Sequence, residues 1–186
     1  RVSMGAQAAG SRSTDTASTR CGFREFRFEN GYFRLNGKRM YLRCSHTGNH
    51  TPIGMQLAHD PELFRRDLIL AKAMGFNAIR FIAGLATRYQ LDMCDEIGLM
   101  VYAESYAAWA MQNSPKLGER YDQSQLEMVL RDRNHPSIVI WGVRINESAD
   151  FHDFYAETNR VARELDPTRQ TGGVRYIDES EMLEDV

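Results

Sequence analysis

The feature that most narrows the fold of this chain is a repeat: a strand-like run, then a helical stretch, four times over and begun a fifth time. The strand-like runs fall at residues 38–44, 77–82, 99–104, 138–146 and 171–175. Each unit takes roughly 25–40 residues, the length of a βα unit. Strands that all run one way need a helical crossover between them, so the alternation predicts a parallel sheet covered by helices. The run Ile138-Val139-Ile140-Trp141, followed by Val143 and Ile145, is the most apolar and reads as a buried central strand. It delivers Asn146 and Glu147 at its carboxyl end, where α/β folds place their chemistry.

The helices announce their own ends. Asp60-Pro61-Glu62 supplies an N-cap, a proline in the first turn and an acid facing the macrodipole. Leu63, Phe64, Leu68, Leu70, Ala71 and Met74 form its apolar face, and Gly75 stops it. A second helix over 89–97 is closed by Gly98, a third over 123–133 stops at Asn134-His135-Pro136, and a fourth over 151–165 breaks at Asp166-Pro167. Ahead of the repeat, Gly22 to Phe28 alternates aromatic and charged residues, and Asn30-Gly31 and Asn36-Gly37 are hairpin turn signals. Residues 1–20 are rich in Ala, Ser, Thr and Gly with no sustained period. They leave three readings open: a linker, a poorly ordered arm, or the end of a preceding domain. Residues 45–59 read as a polar loop containing His46, His50 and His59, and the tail with Glu179, Glu181 and Glu184 as a solvated acidic run.

Composition removes several classes. The chain has 186 residues and a formal charge of -2, so nothing in its charge balance predicts a nucleic-acid partner. No apolar run is long enough to span a bilayer, and the first residues lack the apolar core of a signal peptide. Cys21, Cys44 and Cys94 are odd in number and none has CxxC spacing, so neither a disulfide framework nor a zinc site follows. No GxGxxG or GxxxxGK[ST] follows a strand, which disfavours a nucleotide-binding sheet. A (β/α)8 TIM barrel fits better, but a full barrel takes about 250 residues. The fold expected is therefore an α/β barrel truncated to about its first five βα units. Short β-hairpins and a linker-like arm precede it, with a boundary between 1–21 and 22–186.

Each candidate site residue has a plain structural alternative. Glu147 is either a cap on the following helix or a general acid. Arg80 is either a strand-end ion pair or a substrate-site group, and Glu104 again puts a carboxylate at a strand end. Cys44 needs a positioned base to act as a nucleophile and otherwise is a packing thiol. His46 and His50 lack a carboxylate or thiol at metal-ligand spacing. Tyr106 and Trp109 either pack or offer a stacking face to a sugar.

Several stretches together resemble glycoside hydrolase family 2, the family of β-galactosidases, β-glucuronidases and β-mannosidases. They are Gly22-Phe23-Arg24, Leu35-Asn36-Gly37-Lys38, Leu42-Arg43, Asp67-Leu68, Lys72, Phe76-Asn77-Ala78-Ile79-Arg80, Cys94-Asp95-Glu96-Ile97-Gly98-Leu99 and Glu104. The most specific is Arg131-Asp-Arg-Asn-His-Pro-Ser-Ile with Trp141 and Asn146-Glu147, followed by Asp166-Pro-Thr-Arg169. The resemblance runs over about residues 22–175 in order. It implies the catalytic barrel of that family, with the opening hairpins as the junction to an upstream β-sandwich. It makes Glu147 the acid/base, Asn146 the amide that binds the sugar beside the scissile bond, and Arg80 an arginine that orients the nucleophilic carboxylate. Glu104, His46 and Trp109 join these as expected substrate contacts.

The implied activity is retaining exo-hydrolysis of β-linked glycosides or oligosaccharides, with no cofactor and no catalytic metal. The family's nucleophile lies on a seventh strand, beyond the strands counted here, so the remaining barrel half and β-sandwich domains are expected in the full-length protein. The interval from Trp141 to Asn146-Glu147 is one residue longer than the family's usual spacing, which leaves a bulge or a subgroup variant open. After Arg80 the usual histidine and proline are replaced by Phe81-Ile82-Ala83, and in the first loop the usual His-Glu pair by Gly48-Asn49. Two other function classes stand beside hydrolysis: a non-catalytic sugar-binding module, and a half-barrel that assembles with another piece. The residues specify neither the sugar nor the compartment.

Overall fold

The structure, a computed structural model, describes residues 2–8, 11–47, 60–82, 84–105, 115–145, 152–174 and 182–186. At its centre is a parallel sheet of β6 (Cys44–Thr47), β7 (Ala78–Phe81), β8 (Met100–Glu104), β9 (Ile138–Gly142) and β10 (Gln170–Gly172). The strands lie side by side in the order of the chain, β6-β7-β8-β9-β10. The crossovers are α1 (Pro61–Ala73), α2 (Arg88–Ile97), α3 (Leu117–Asp132) and α4 (His152–Leu165). Strictly sequential parallel order with one helix per crossover is the pattern of a barrel arc, as the alternation predicts.

The two faces of this sheet have different jobs. Ile79, Phe81, Val101, Ala103, Ile138, Trp141 and Val143 point one way and pack against Leu68 of α1, Leu91 and Cys94 of α2, Met128 and Val129 of α3, and Ala162 of α4. Ala78, Met100 and Ile140 point the other way. This second face is covered at the amino ends of the strands by a three-stranded antiparallel sheet, β3 (Phe26–Glu29), β4 (Tyr32–Leu35) and β5 (Lys38–Met40). Phe26 is buried and stacks on Phe33 with ring centroids 5.5 Å apart. Phe33, Leu35, Met40 and Leu42 complete the apolar plug. Both hairpin turns form as Asn-Gly predicts, with positive φ at Asn30 (53°), Gly31 (80°), Asn36 (50°) and Gly37 (76°). Arg24 fastens the plug electrostatically: its guanidinium donates to the carbonyls of Pro136 (3.3 Å) and Ile138 (2.5 Å).

The most specific sequence motif turns out to be a joint at the amino end of β9. His135 Nδ1 lies 2.7 Å from Asp95 of α2, and the same carboxylate accepts the Ser137 amide at 2.9 Å. Arg131 holds Asp132 through two 2.6 Å bonds and donates to the carbonyl of Ala86 at 2.6 Å. Asp166, buried past α4, accepts from Trp141 Nε1 (3.0 Å), from Thr168 N (3.0 Å) and Oγ1 (2.5 Å), and from Arg169. Arg169 in turn caps the carbonyls of Ile138 (2.8 Å), His135 (2.8 Å) and Arg133 (3.0 Å). Burial alone would raise the Asp166 carboxyl, but donors from Thr168, Arg169 and Trp141 hold it below its ordinary value.

Four expectations change. The predicted strand over 38–44 divides: β5 stays with the hairpins, and β6 begins at Cys44, so His46 sits on a strand rather than in a loop. Helix α3 starts at Leu117, six residues ahead of the expected start, because Leu117 and Tyr121 pack with Phe154 and Tyr155 despite Gly118 and the lack of a side-chain cap. Within the stretch expected as a linker-like arm, β1 (Val2–Ala8) and β2 (Ser11–Ala17) pair antiparallel from Val2↔Ala17 to Ala8↔Ser11, which its lack of apolar alternation did not predict. The solvated acidic run is corrected at Glu184, whose side chain is 1% exposed; Glu179 and Glu181 lie outside the described residues. Among the described residues no helix is long and apolar enough to cross a membrane.

Two measurements test this frame. Asp166→Ala leaves the buried Trp141 indole and the largely shielded Arg169 guanidinium without their shared acceptor and should cost about 3 kcal/mol in urea unfolding. The wild-type advantage should be complete above the ordinary carboxylate range and fade as pH falls through the depressed Asp166 value. His135 is raised, chiefly by its hydrogen bond to Asp95, and Asp95 is lowered because the His135 and Ser137 bonds outweigh burial. The pair should therefore stabilise most between about pH 4 and 6.5 and lose its contribution as pH rises through the raised His135 value. His135→Gln should cost about 1 kcal/mol in that window and less above it.

Candidate active site

The plug occupies the amino ends of the strands, so the face left for chemistry is at their carboxyl ends. Pairing His46↔Arg80 and Arg80↔Tyr102 puts these three side chains on the face shared with Ala78 and Met100. Two residues further along β8, Glu104 returns to that face opposite Gly142 of β9. The sequence thus brings His46, Arg80 and Glu104 to one surface from three successive strands.

Arg80 and Glu104 are joined. Nε and Nη2 of Arg80 both lie 2.6 Å from Glu104 Oε1. The Glu104 side chain is 4% exposed and that of Arg80 16%, so the pair is largely shielded from bulk water, the carboxylate more than the guanidinium. Arg80 lies 5.3 Å over the ring of Tyr102. Burial, reinforced by the nearby Glu104 charge, raises the Tyr102 hydroxyl well above its ordinary value, so it stays protonated at neutral pH.

Two glycines make this packing possible. A Cβ on Gly142 would stand 2.5 Å from Glu104 Cγ and 3.3 Å from Tyr102 Cζ. A Cβ on Gly172 would stand 2.7 Å from both Tyr102 Cε2 and Ile140 Cγ2. The bare backbone of β9 and β10 is the wall against which Tyr102 and Glu104 rest.

A second acid–arginine pair closes the far side. Arg144, just past β9, donates Nε to Glu184 Oε1 at 2.9 Å, with both side chains nearly inaccessible. Its guanidinium lies 4.5 Å over Tyr155 of α4. Glu184 arrives on a segment that extends the sheet: Val186 N donates to Thr171 O, and Gly173 N donates to Val186 O, the bonding of a sixth parallel neighbour. Sequence reading missed both partners. The signals present were Leu183 and Val186 flanking the acid and the Gly172-Gly173 pair facing it.

The remaining expected residues divide. Asn146, Glu147, Trp109, Tyr106 and His50 lie outside the described residues. Cys44 is on β6, and burial of its sulfur, only partly offset by Arg80, pushes the thiol up to about 11 although the residue as a whole is exposed. It is a poor nucleophile at neutral pH. The group Asp92, Asp95 and His135 has metal-ligand composition but is accounted for by the joint at the amino end of β9, away from this face. The irregularity in β9 falls at Val139, between the pairs Val101↔Ile138 and Tyr102↔Ile140. It precedes Trp141, so it does not account for the long interval from Trp141 to Asn146.

Comparison with known proteins agrees with this fold. The family model described as "Glycosyl hydrolases family 2, TIM barrel domain" matches residues 26–185. A beta-galactosidase of Thermoanaerobacterium thermosulfurigenes is 39% identical over 179 residues, 93% of this chain and 24% of that protein. A beta-galactosidase of Thermoanaerobacter pseudethanolicus is 43% identical over 163 residues, 87% of this chain and 22% of that protein. The crystal structure of Parabacteroides merdae beta-glucuronidase superposes with a TM-score of 0.79 at 26% identity, covering 98% of this chain and 24% of that one. The chain spans about a quarter of the length of the curated relatives it matches. With the sequential parallel sheet, the helices on its outer face and the matched span, the chain belongs to glycosyl hydrolase family 2, as a part of its TIM barrel domain.

Proposed function

We propose that the full-length protein is a retaining β-glycosidase, that β-linked galactosides are its substrates, and that this chain carries the acid/base half of the site. The observation that carries the reading is the Arg80–Glu104 pair at the carboxyl ends of β7 and β8, beside the end of β9. Asn146-Glu147 follows the last residue of β9 by four and five positions. The sugar is taken from the relatives at 39% and 43% identity, which are named beta-galactosidases.

Retaining hydrolysis uses two carboxyl groups about 5–5.5 Å apart. In this reading a nucleophilic carboxylate, supplied by polypeptide outside this chain, attacks the anomeric carbon and forms a glycosyl ester. Glu147 gives its proton to the departing oxygen, so the bond breaks to a neutral alcohol. Glu147, now ionised, takes a proton from water, whose oxygen attacks the same carbon and releases the sugar with its configuration retained. Asn146 hydrogen-bonds a ring hydroxyl without adding charge. Glu104 aims the Arg80 fork, a rigid planar donor suited to a carboxylate, at the face where the resemblance puts the nucleophile. His46 and Trp109 complete the substrate contacts. Residues 1–21 are read as a linker or the remnant of an upstream β-sandwich domain.

In the full-length protein, Glu147→Ala should lower hydrolysis of alkyl β-galactosides about a hundredfold or more, and that of dinitrophenyl β-galactoside far less, because the latter leaves without protonation. Undiminished alkyl-galactoside turnover would remove Glu147 from the mechanism. The 186-residue chain alone should not hydrolyse nitrophenyl glycosides; turnover by it that Glu147→Gln abolishes would refute the two-part site. Arg80→Met removes the guanidinium paired with the buried Glu104 carboxylate and should cost about 3 kcal/mol in unfolding, most of it recovered in Arg80→Met/Glu104→Leu.

A further inference from the structure

We propose that the cleft at the amino ends of β9 and β10, where Arg24, Arg133 and Arg169 come together, is a binding site for a dianionic oxyanion, a phosphate or sulfate group. The cleft lies at the opposite end of the strands from the candidate active site and owes nothing to the reading of Glu147. Separate pieces of the chain wall it: residues 22–25 ahead of the hairpin sheet, the turn from α3 into β9, and the turn from α4 into β10. It is open to solvent and has a volume of about 470 Å³, room for a tetrahedral anion and for a small molecule that carries one.

Arg24 and Arg133 are placed by backbone carbonyls rather than by acids. Gly22 lies on the Pro136 ring, where a Cβ would stand 2.7 Å from Cγ, and this close approach brings Arg24 in. Asn36 pins the residue that follows: its Oδ1 accepts the Glu25 amide at 3.0 Å, and its amide donates to the Glu25 carbonyl at 2.8 Å. Arg24 Nη2 and Arg169 Nε then donate to the same acceptor, the Ile138 carbonyl, so two like charges meet at one oxygen. Arg133 stands exposed at the rim and donates to the Leu165 carbonyl at 3.4 Å. Its own carbonyl accepts from Arg169, which ties the third guanidinium to the other two.

The charge balance points to the ligand. Of the acids near the cleft, Glu25 is matched by Arg27 at 3.6 Å, and Asp166 by Arg169. Among the described residues Arg24 and Arg133 pair with no acid, so two positive charges are left in excess, the complement of a dianion. Among the described residues Nη1 of Arg24 also has no acceptor, which leaves N–H donors to bind an anion's oxygens. Burial, and next the nearness of Arg169, push the Arg24 guanidinium down to about 10, and Asp166 offsets this only in part. Holding an arginine out of water beside another arginine is costly, and an anion bound between Arg24 and Arg133 relieves that cost.

The test titrates the full-length protein with inorganic phosphate in a calorimeter at neutral pH, with sodium chloride adjusted to hold the ionic strength constant, and repeats the titration with sulfate. Constant ionic strength separates a site from general screening. At least one of the two anions should bind with a Kd of about a millimolar or below. Arg24→Gln and Arg133→Gln should each weaken that binding about tenfold, and Arg133→Glu should abolish it. Arg24 also fastens the plug, so if Arg24→Gln does not fold, the exposed Arg133 decides the matter alone; a circular dichroism spectrum matching wild type shows that its variants are folded. Binding of phosphate alone assigns the site to phosphate groups, binding of sulfate alone to sulfate groups, and equal binding to tetrahedral dianions of either kind. No heat beyond the chloride control, or binding that both Arg133 variants leave unchanged, would overturn the proposal. So would a crystal structure of the full-length protein with one of its own carboxylates seated between Arg24 and Arg133.

Discussion

The Asp166 carboxylate is the point on which the rest of the arc depends. It is buried where α4 hands over to β10, and it gathers donors from Trp141, Thr168 and Arg169. Through Arg169 it also reaches the carbonyls of Arg133, His135 and Ile138, the turn that feeds β9. Two connections that are far apart in sequence are thereby fixed to one charge. A lone buried carboxylate would be strongly disfavoured; surrounded by donors it becomes a specific coupling. The residues that make the chain most recognisable from sequence are largely parts of this joint, at the opposite end of the strands from the site.

That division of labour organises the molecule. The amino ends are closed by an aromatic plug and by arginines that cap backbone carbonyls. The carboxyl ends carry two buried acid–arginine pairs, Arg80–Glu104 and Arg144–Glu184, with Tyr102 between backbone glycines beneath them. Both arginines lie over tyrosine rings, which lowers the cost of holding a guanidinium out of water. The face at the carboxyl ends is thus built from groups that hydrogen bonds and ring contacts within the chain hold in place.

Much of this was legible in the residues, for reasons that differ from element to element. The Asn-Gly turns, the Gly98 stop of α2 and the Asp60-Pro61 start of α1 are local chemistry, and local chemistry reads directly. Strand β6 was not visible, because Cys44-Ser45-His46-Thr47 has no apolar alternation and is held by its neighbour β7 rather than by its own pattern. The first turns of α3 were hidden for the same reason: their support comes from Phe154 and Tyr155, over thirty residues away. At the site, the residue types of Arg80 and Glu104 and their strand-end positions were readable, but their union was not. Glu184 looked like one more acid in an acidic tail; only the fold shows that Arg144 and a bare glycine surface wait for it.

The order of the strands has a consequence for how such a chain is made. Every strand joins the open edge of the one synthesised just before it, from β6 through β10 to the backbone bonds of Val186. Among the described strands after β6, each finds the neighbour on its earlier side already made. The growing end of the sheet is always its newest edge, so assembly can keep pace with translation, one unit at a time.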